Sequence, residues 1–290
     1  MSYPNAKVIC DSISPAGVRI TTLEITMHRF VLAEFNTHRM LSRNSASSRA
    51  IPIEKMLGRY RDEPAYPISW PAEQPGMQGG AELEDGDLVE AKRLFKAVHD
   101  STLLHISEYL VGLGYKYGAD AKAHRLHKSV INRLLEPMMW HTVVATATCW
   151  DNYFDLRCHE LAQPEIRVAS ELARKAMNLS VPNDVPFGDW HLPYVLESEL
   201  ASNRFDWLDL ARISSARCAR VSTMQHDRDE VDVEADFALC ERLMSAEPMH
   251  ASPFEHPAMP LTNDKFVANF KGWVSYRSFI EHQKGVNSRR

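Results

Sequence analysis

The stretch VPNDVPFGDWHLP, residues 181–193, limits the possible folds of this chain more than any other segment. Proline fixes its own φ angle and lacks a backbone donor, so a long helix or a central strand cannot run through this stretch. We therefore predict a linker at residues 181–205, which separates a unit at residues 1–180 from a second, smaller unit at residues 206–290.

The spacing of apolar residues predicts the elements of both units. Residues 17–35 begin with strand-like spacing and pass into helical spacing. Residues 60–88 contain four closely spaced prolines and the pair Gly79-Gly80, which predict an extended loop. We expect an α+β fold in which short antiparallel strands pack against long helices. Helices are predicted for residues 88–114, 119–136, most of 138–180, 206–222 and 230–246.

A similar order of segments occurs near both ends of the chain. Ser14-Pro15 precedes an extended segment, an apolar segment and then His38-Arg39. Ser252-Pro253 precedes the same order of segments, which ends at Tyr276-Arg277, and the interval from Pro to Arg is equal in both. The pattern is consistent with two related half-units and equally with two unrelated strand-helix units.

Charge and cysteine usage exclude several classes of protein. The formal net charge of -5 argues against a general nucleic-acid binder, which usually has a basic excess. The five cysteines are scattered and lack C-x-x-C spacing, so we expect reduced thiols rather than a disulfide framework or a zinc site. The sequence has neither a membrane-length apolar run nor a signal peptide, so we expect a soluble, cytoplasmic protein. Since no metal-ligand motif stands out, we also expect no bound metal.

Residues 36–50, NTHRMLSRNSASSRA, combine arginines, a histidine and serines next to the apolar run FVLAEF. The planar guanidinium of arginine grips phosphate at two points, and serine hydroxyls and loop amides add short neutral donors. We interpret this segment as an anion-binding loop. A solvated basic turn is the alternative.

Two other segments place polar groups where chemistry is possible. In WDNYFDLRCHELAQPEIRVASE, residues 150–171, Arg157 stands in an otherwise apolar helical region. Such an arginine needs either a carboxylate partner, such as Asp155 or Glu165, or an anionic ligand. The stretch HASPFEHP, residues 250–257, contains two histidines and a glutamate that could contact a cofactor or close a turn.

Taken together, these three segments resemble the flavin-dependent thymidylate synthases. The family signature RHRxxSxNxxSxR is matched by THRMLSRNSASSR at every fixed position except the first, where Thr37 replaces an arginine. The family places its SPFEH segment before the signature, whereas this chain places it far after. A duplication or a circular permutation would account for that order. The segments that carry the resemblance are residues 37–49, 132–137 (NRLLEP), 155–167 (DLRCHELAQPEIR), 211–222 (ARISSARCARVS) and 252–256 (SPFEH).

The resemblance implies methylation of dUMP at the pyrimidine C5 to give dTMP. Methylenetetrahydrofolate would be the carbon donor, FAD the hydride carrier and NADPH the reductant. It also implies a homo-oligomer, a dimer or tetramer, without a nucleic-acid or membrane partner. Because Thr37 removes a charge, dUMP hydroxymethylation and dCMP methylation or hydroxymethylation stay open, as does a non-catalytic nucleotide- or RNA-binding relative.

Positional match with the family assigns roles to individual residues. Arg157 would approach the pyrimidine ring, bind the nucleotide and stabilise the negative charge that develops there, so it is the catalytic candidate. The nucleotide phosphate would be bound by Ser47, Arg49 and Arg133. The FAD contacts would be His38, Arg39, Asn152, Ser222, His250, Ser252 and Glu255.

Overall fold

The computed structural model describes residues 3–223 and 232–283 and shows an α+β fold, which confirms the predicted fold class. One sheet runs in the order β3-β4-β2-β1-β5, and its pairs are antiparallel except for the parallel pair β1–β5. Within these residues no helix is long and apolar enough to cross a membrane. The strands of this sheet are β1 (Asn5–Ile13), β2 (Arg19–His28), β3 (Ser42–Ser45), β4 (Trp140–Ala147) and β5 (Asn183–Asp184).

Helices and short strand pairs surround the sheet. The helix predicted at residues 88–114 is confirmed as one that ends at Gly118, whose φ of 54° suits a glycine. The α-helices are α1 (Leu32–Asn36), α2 (Ile53–Asp62), α3 (Asp85–Tyr117), α4 (Lys128–Ile131), α5 (Asp151–Arg157), α6 (Pro164–Leu179), α7 (Glu197–Ala201), α8 (Trp207–Arg220), α9 (Val233–Ser245) and α10 (Tyr276–Gln283). Strand β6 (Ala258–Pro260) pairs with β9 (Trp273–Ser275), and β7 (Phe266–Val267) pairs with β8 (Phe270–Lys271).

The prediction that residues 138–180 are mostly helical is wrong at its start, because β4 lies there between β2 and β3. Its sequence, WHTVVATA, is rich in β-branched residues, which suit a pleated strand. Residues of β4 are buried on both faces of the sheet, so the alternation of polar and apolar positions that marks a half-exposed strand is missing.

The single helix predicted at residues 119–136 is also wrong. This segment consists of a 3-10 turn at Gly118–His124, helix α4 and two further 3-10 turns that end at Met138. His127 caps α4, since its Nδ1 accepts a hydrogen bond from the backbone N–H of Ser129 at 3.2 Å. The backbone is extended at Arg125 (φ -82°, ψ 141°) and at His127 (φ -61°, ψ 144°), which divides the segment into short turns.

The two faces of the sheet differ in chemistry. One face carries the apolar side chains of β2 and β4 and is covered by α1, α5 and α6. The other face carries a buried chain of hydrogen bonds: Thr22 Oγ1 lies 2.7 Å from Thr146 Oγ1, which lies 2.8 Å from His256 Nδ1. His191 Nε2 joins at 2.8 Å from Thr22 Oγ1. Burial lowers the pKa of both histidines to about 3, so both are neutral at physiological pH.

The helices predicted at residues 206–222 and 230–246 are confirmed as α8 and α9. Each begins at an aspartate, Asp206 or Asp232, whose side chain accepts a hydrogen bond from the first turn. Between α6 and α8, Trp190, His191 and Leu192 are buried against the rest of the chain. The division into two units with a linker at residues 181–205 stays a prediction.

Candidate active site

Strand β3 brings distant segments of the chain together. It carries residues of the signature, lies at the edge of the sheet, and packs against the 3-10 turn Ser252–Glu255. Asn44 Nδ2 donates to the carbonyl oxygen of Cys218 at 3.3 Å, and the Ser47 N–H donates to the carbonyl oxygen of Ser222 at 2.9 Å. The signature and the two segments that resemble the family's SPFEH and serine blocks are therefore neighbours in space.

The turn that carries Ser252 and Glu255 is fixed to the sheet by the histidine that follows it. His256 is fully buried, and its Nδ1 lies 2.8 Å from Thr146 Oγ1 on β4. Thr146 pairs directly with Ser42 of β3 in the sheet. Because this contact is buried and short, it holds the turn beside the signature strand.

Arg157 contacts the start of the signature. Its Nε donates to His38 Nε2 at 2.9 Å, and its Nη2 donates to Thr37 Oγ1 at 3.1 Å and to the Glu34 carbonyl at 3.2 Å. The alternative that Arg157 forms an ion pair with Asp155 or Glu165 is wrong, since its partners in the structure are neutral.

His38 accepts this hydrogen bond as a neutral imidazole. Burial, the positive charge of Arg157 and that of Arg43 lower the pKa of His38 to about 4. Its ring packs edge-on against Tyr153 with 4.9 Å between the ring centroids, and Arg43 Nη1 donates to its carbonyl oxygen at 2.6 Å. Since no carboxylate neutralises Arg157 among these contacts, its guanidinium keeps its positive charge available to an anionic partner.

A cavity of about 310 Å³ lies on the other side of β3. Three of the predicted FAD contacts, Ser222, His250 and Ser252, line it, and so does Asn44. Arg43 and Asn44 are consecutive on a strand, so their side chains point to opposite faces. The cavity and the cluster of Arg157 and His38 therefore lie on opposite sides of the strand in a single chain.

The cavity also contains basic residues that the sequence did not single out. Arg220 donates to Asp236 at 2.8 Å and 2.7 Å, which neutralises its charge. Arg242 lines the cavity from α9 and has no ion-pair partner within residues 3–223 and 232–283. Helical spacing alone gave no signal for Arg242, because an arginine on an exposed helix face is ordinary.

The donor set of this cavity suits a phosphate group. The hydroxyls of Ser222 and Ser252 and the guanidinium of Arg242 are donors of the kind that bind phosphate oxygens, whereas the Thr223 hydroxyl already donates to the Arg220 carbonyl at 3.1 Å. The volume of about 310 Å³ is near the lower end of ordinary ligand pockets, so a large dinucleotide would extend beyond the cavity. The residues present thus fit FAD as a partly enclosed ligand.

Glu255 is engaged within the chain. Arg277 Nη1 lies 2.5 Å from its Oε1 and also binds Glu281 through Nε at 2.7 Å. The sequence comparison of the two Ser-Pro segments placed Arg277 opposite Arg39, but only Arg277 contacts Glu255. In this structure Glu255 has its charge neutralised by Arg277, so a ligand would compete with that ion pair.

Arg133 belongs to a third group, next to the end of the signature. Its Nη1 lies 3.0 Å and 3.2 Å from the carboxylate oxygens of Glu136, and Arg29 Nη2 lies 3.5 Å from the same carboxylate. Asn132 Nδ2 donates to the Ser48 carbonyl at 2.8 Å, which ties this turn to the signature. Burial alone would raise the pKa of Glu136, but a hydrogen bond with Ser48 and the charges of Arg29 and Arg133 lower it.

The predicted site residues thus fall into separate groups in one chain. His38 and Arg157 form one group; Ser222, His250 and Ser252 line the cavity; Ser47 joins the cavity group through Ser222; and Glu255 pairs with Arg277. The structure does not bring the remaining side chains into a common pocket. Arg39, Arg49 and Asn152 are exposed, and Arg133 is half exposed beside Glu136.

Comparisons with known proteins give weak matches. No protein-family model matches the chain, and no curated protein matches it significantly. Among solved structures, the UMP/dUMP methylase PolB from Streptomyces cacaoi bound with 5-Br dUMP is 15% identical, with a TM-score of 0.43, over 61% of this chain and 90% of that chain. A flavin dependent thymidylate synthase, ThyX from Helicobacter pylori complexed with FAD and dUMP, is 14% identical, with a TM-score of 0.31, over 55% of this chain and 67% of that chain. These values are too low to assign a reaction to this chain.

Proposed function

We propose that this chain is a flavin-dependent enzyme that methylates dUMP at C5 to give dTMP, with methylenetetrahydrofolate as carbon donor and NADPH as reductant. The observation that carries the proposal is the meeting of the family-like segments at β3. Arg157 binds His38 at 2.9 Å, and Ser47 binds Ser222 at 2.9 Å. These residues are far apart in sequence, so the path of the chain brings segments together that each resemble a part of the family's site.

Each group of residues has a distinct role in this proposal. Arg157 binds the pyrimidine and stabilises negative charge on it, while neutral His38 and Thr37 orient its guanidinium. Ser47, Arg49 and Arg133 bind the nucleotide phosphate.

His38, Arg39, Asn152, Ser222, His250, Ser252 and Glu255 contact FAD in this proposal. When bound, FAD supplies hydride transfer. Because Arg157 and the cavity lie on opposite sides of β3, we propose that a complete site needs residues from a second copy of the chain, in a dimer or tetramer.

Four of the five thiols of the chain, those of Cys10, Cys158, Cys218 and Cys240, fit a reaction without a cysteine nucleophile. Thiolates, not thiols, are the reactive form, and burial keeps thiols protonated. Burial raises the pKa of Cys218 well above its ordinary value, and burial raises that of Cys240 to about 11. Burial also raises the pKa of Cys10 and Cys158.

The first test is the cofactor and the product. We expect the purified protein to be yellow or to become yellow on addition of FAD, and to convert dUMP to dTMP with labelled methylenetetrahydrofolate and NADPH, as read by mass spectrometry. His250→Ala should reduce FAD occupancy, whereas His105→Ala on the exposed face of α3 should not. A protein that binds no FAD under any condition overturns the proposal.

The same assay separates the related reactions. Thr37 touches the guanidinium proposed to bind the pyrimidine, so the difference from the family lies next to the substrate base. A hydroxymethyl product, or turnover of dCMP instead of dUMP, would identify a related C5 modification. Nucleotide binding with steep salt dependence and no turnover would identify a non-catalytic relative.

Glu136 should weaken nucleotide binding, because its carboxylate contacts Arg133 and Arg29 and would compete with a nucleotide phosphate for these two arginines. The lowered pKa of Glu136 means that it is charged at neutral pH. We expect Glu136→Gln to bind dUMP about fivefold more tightly, the equivalent of ~1 kcal/mol for a partly exposed ion pair. Isothermal titration calorimetry at low salt measures the dissociation constant.

Glu90→Gln is the matched control, since Glu90 pairs with Arg93 on the exposed face of α3 and should leave dUMP affinity unchanged. If Glu136→Gln binds dUMP more weakly than the parent protein, Glu136 positions Arg133 for the phosphate and does not compete with it.

A further inference from the structure

A second and larger cavity, of about 670 Å³, lies at the opposite edge of the sheet from β3. Strand β1 forms one wall, and residues 180–195, helix α7 and the start of α8 form the others. None of the residues that line it belongs to the candidate active site. Its volume is that of a pocket for an ordinary small molecule.

Two stacked tryptophans form a flat apolar surface in this cavity. The rings of Trp190 and Trp207 lie 5.2 Å apart with an angle of 4° between their planes. Trp190 is buried and contacts Tyr276 and Phe279, which fix its position. Trp207 is 48% exposed, so part of its side chain is open to solvent beside the cavity. Exposed tryptophan next to a cavity is typical of a binding surface.

The charge of the cavity is negative. Four carboxylates line it, and no lysine or arginine does so among the described residues. Asp11 is neutralised by Arg19, which donates to it at 2.8 Å and 2.6 Å. The other three, Asp184, Asp189 and Glu197, form no ion pair within the described part of the chain. Field lines concentrate in such a concave surface and favour positive ligands.

We infer that this cavity binds an organic cation with a flat aromatic ring. The ring would stack on Trp207, where the negative face of the indole attracts positive charge, and the carboxylates would add Coulomb attraction. Nucleotides and folates are anions, so the negative charge of this cavity disfavours them. The inference is independent of the proposed reaction, because it depends only on residues distant from β3.

The test uses the full chain and a matched set of probes: 1-methylnicotinamide as cation, nicotinamide as neutral analogue and nicotinate as anion. Calorimetry should show saturable binding of the cation, at least tenfold weaker binding of the neutral analogue and none of the anion. Trp207→Ala should weaken cation binding at least tenfold, and Asp184→Asn with Asp189→Asn about fivefold. Trp70→Phe, in a different part of the chain, should leave it unchanged.

Several results would overturn the inference. Equal affinity for all three probes, or binding unaffected by Trp207→Ala, would show that the cavity does not select cations. A lysine-rich peptide that binds while the small cation does not would assign the surface to a protein partner. If Trp207→Ala is unfolded by circular dichroism, Trp207→Leu gives the same comparison. Because dUMP turnover is not the readout, failure here leaves the proposed reaction untouched.

Discussion

Arg157→Ala should reduce turnover of dUMP about 100- to 1,000-fold, the usual loss when one donor that stabilises developing charge is removed. In the structure Arg157 keeps an unneutralised guanidinium at the start of the signature, held by Thr37 and His38. FAD occupancy, read from the flavin absorbance, should change much less than turnover, because Arg157 is proposed to bind the pyrimidine, whereas the FAD contacts Ser222, His250 and Ser252 line the cavity on the other side of β3. Steady-state kinetics and the absorbance spectrum measure the two effects.

A readout that does not depend on activity tests the geometry around Arg157. Removing its charge should raise the pKa of His38 from about 4, although burial still holds it below the ordinary value. Titration of the histidine by NMR measures this shift. Arg174→Ala, an exposed arginine on α6, is the control and should change neither turnover nor this pKa. Turnover that survives Arg157→Ala would mean that our assignment of Arg157 is wrong.

The sequence predicted those parts of the fold that local signals determine. Helices α8 and α9 begin at aspartate caps and α3 ends at a glycine, so their existence follows from the residues alone. Strand β4 was missed because burial on both faces removes the alternation that identifies a strand. The order of strands in the sheet depends on contacts between residues that are distant in sequence. The spacing of apolar residues predicts single elements and gives no information on such contacts.

The candidate site shows the same division between local and long-range signals. The donors of residues 36–50 were recognisable by residue type, and the resemblance added the distant segments. The partner of Arg157 was not predictable, since a carboxylate is the usual expectation for an arginine in an apolar region. Its partners are the hydroxyl of Thr37 and a neutral histidine, and only the path of the chain brings them together.

Arg242 and Glu136 were missed for a further reason. Arg242 lies on an exposed helix face and Glu136 in a short, half-buried turn, and in the sequence each is an ordinary charged residue that carries no signal. Their importance comes from what lies beside them: a cavity with hydroxyl donors for Arg242, and two arginines for Glu136. The role of such residues can be recognised only from the three-dimensional structure.

Arg217→Met should destabilise the chain by about 3–5 kcal/mol, the usual result of removing one member of a buried ion pair. Arg217 is buried and binds Glu199 at 2.6 Å and 2.7 Å and Asp236 at 2.9 Å. Burial acts to raise the pKa of Glu199, but its hydrogen bonds to Arg217 hold that pKa below the ordinary value. Without Arg217 a buried, uncompensated carboxylate remains. Urea denaturation at pH 7 measures the loss in free energy of unfolding.

The pH dependence identifies the cause of this loss. In the parent protein the lowered pKa of Glu199 contributes stability that is present above its unfolded value near 4.5 and is lost as pH falls through the folded value. In Arg217→Met burial raises that pKa, so the variant gains stability as pH falls and the difference from the parent narrows at pH 5.

Adding Glu199→Gln to Arg217→Met should recover part of the loss at pH 7. Arg212→Met on the same helix, which removes a partly exposed pair with Glu241, should cost at most about 1 kcal/mol. A loss that does not vary with pH would show that Arg217 acts through packing and not through its charge.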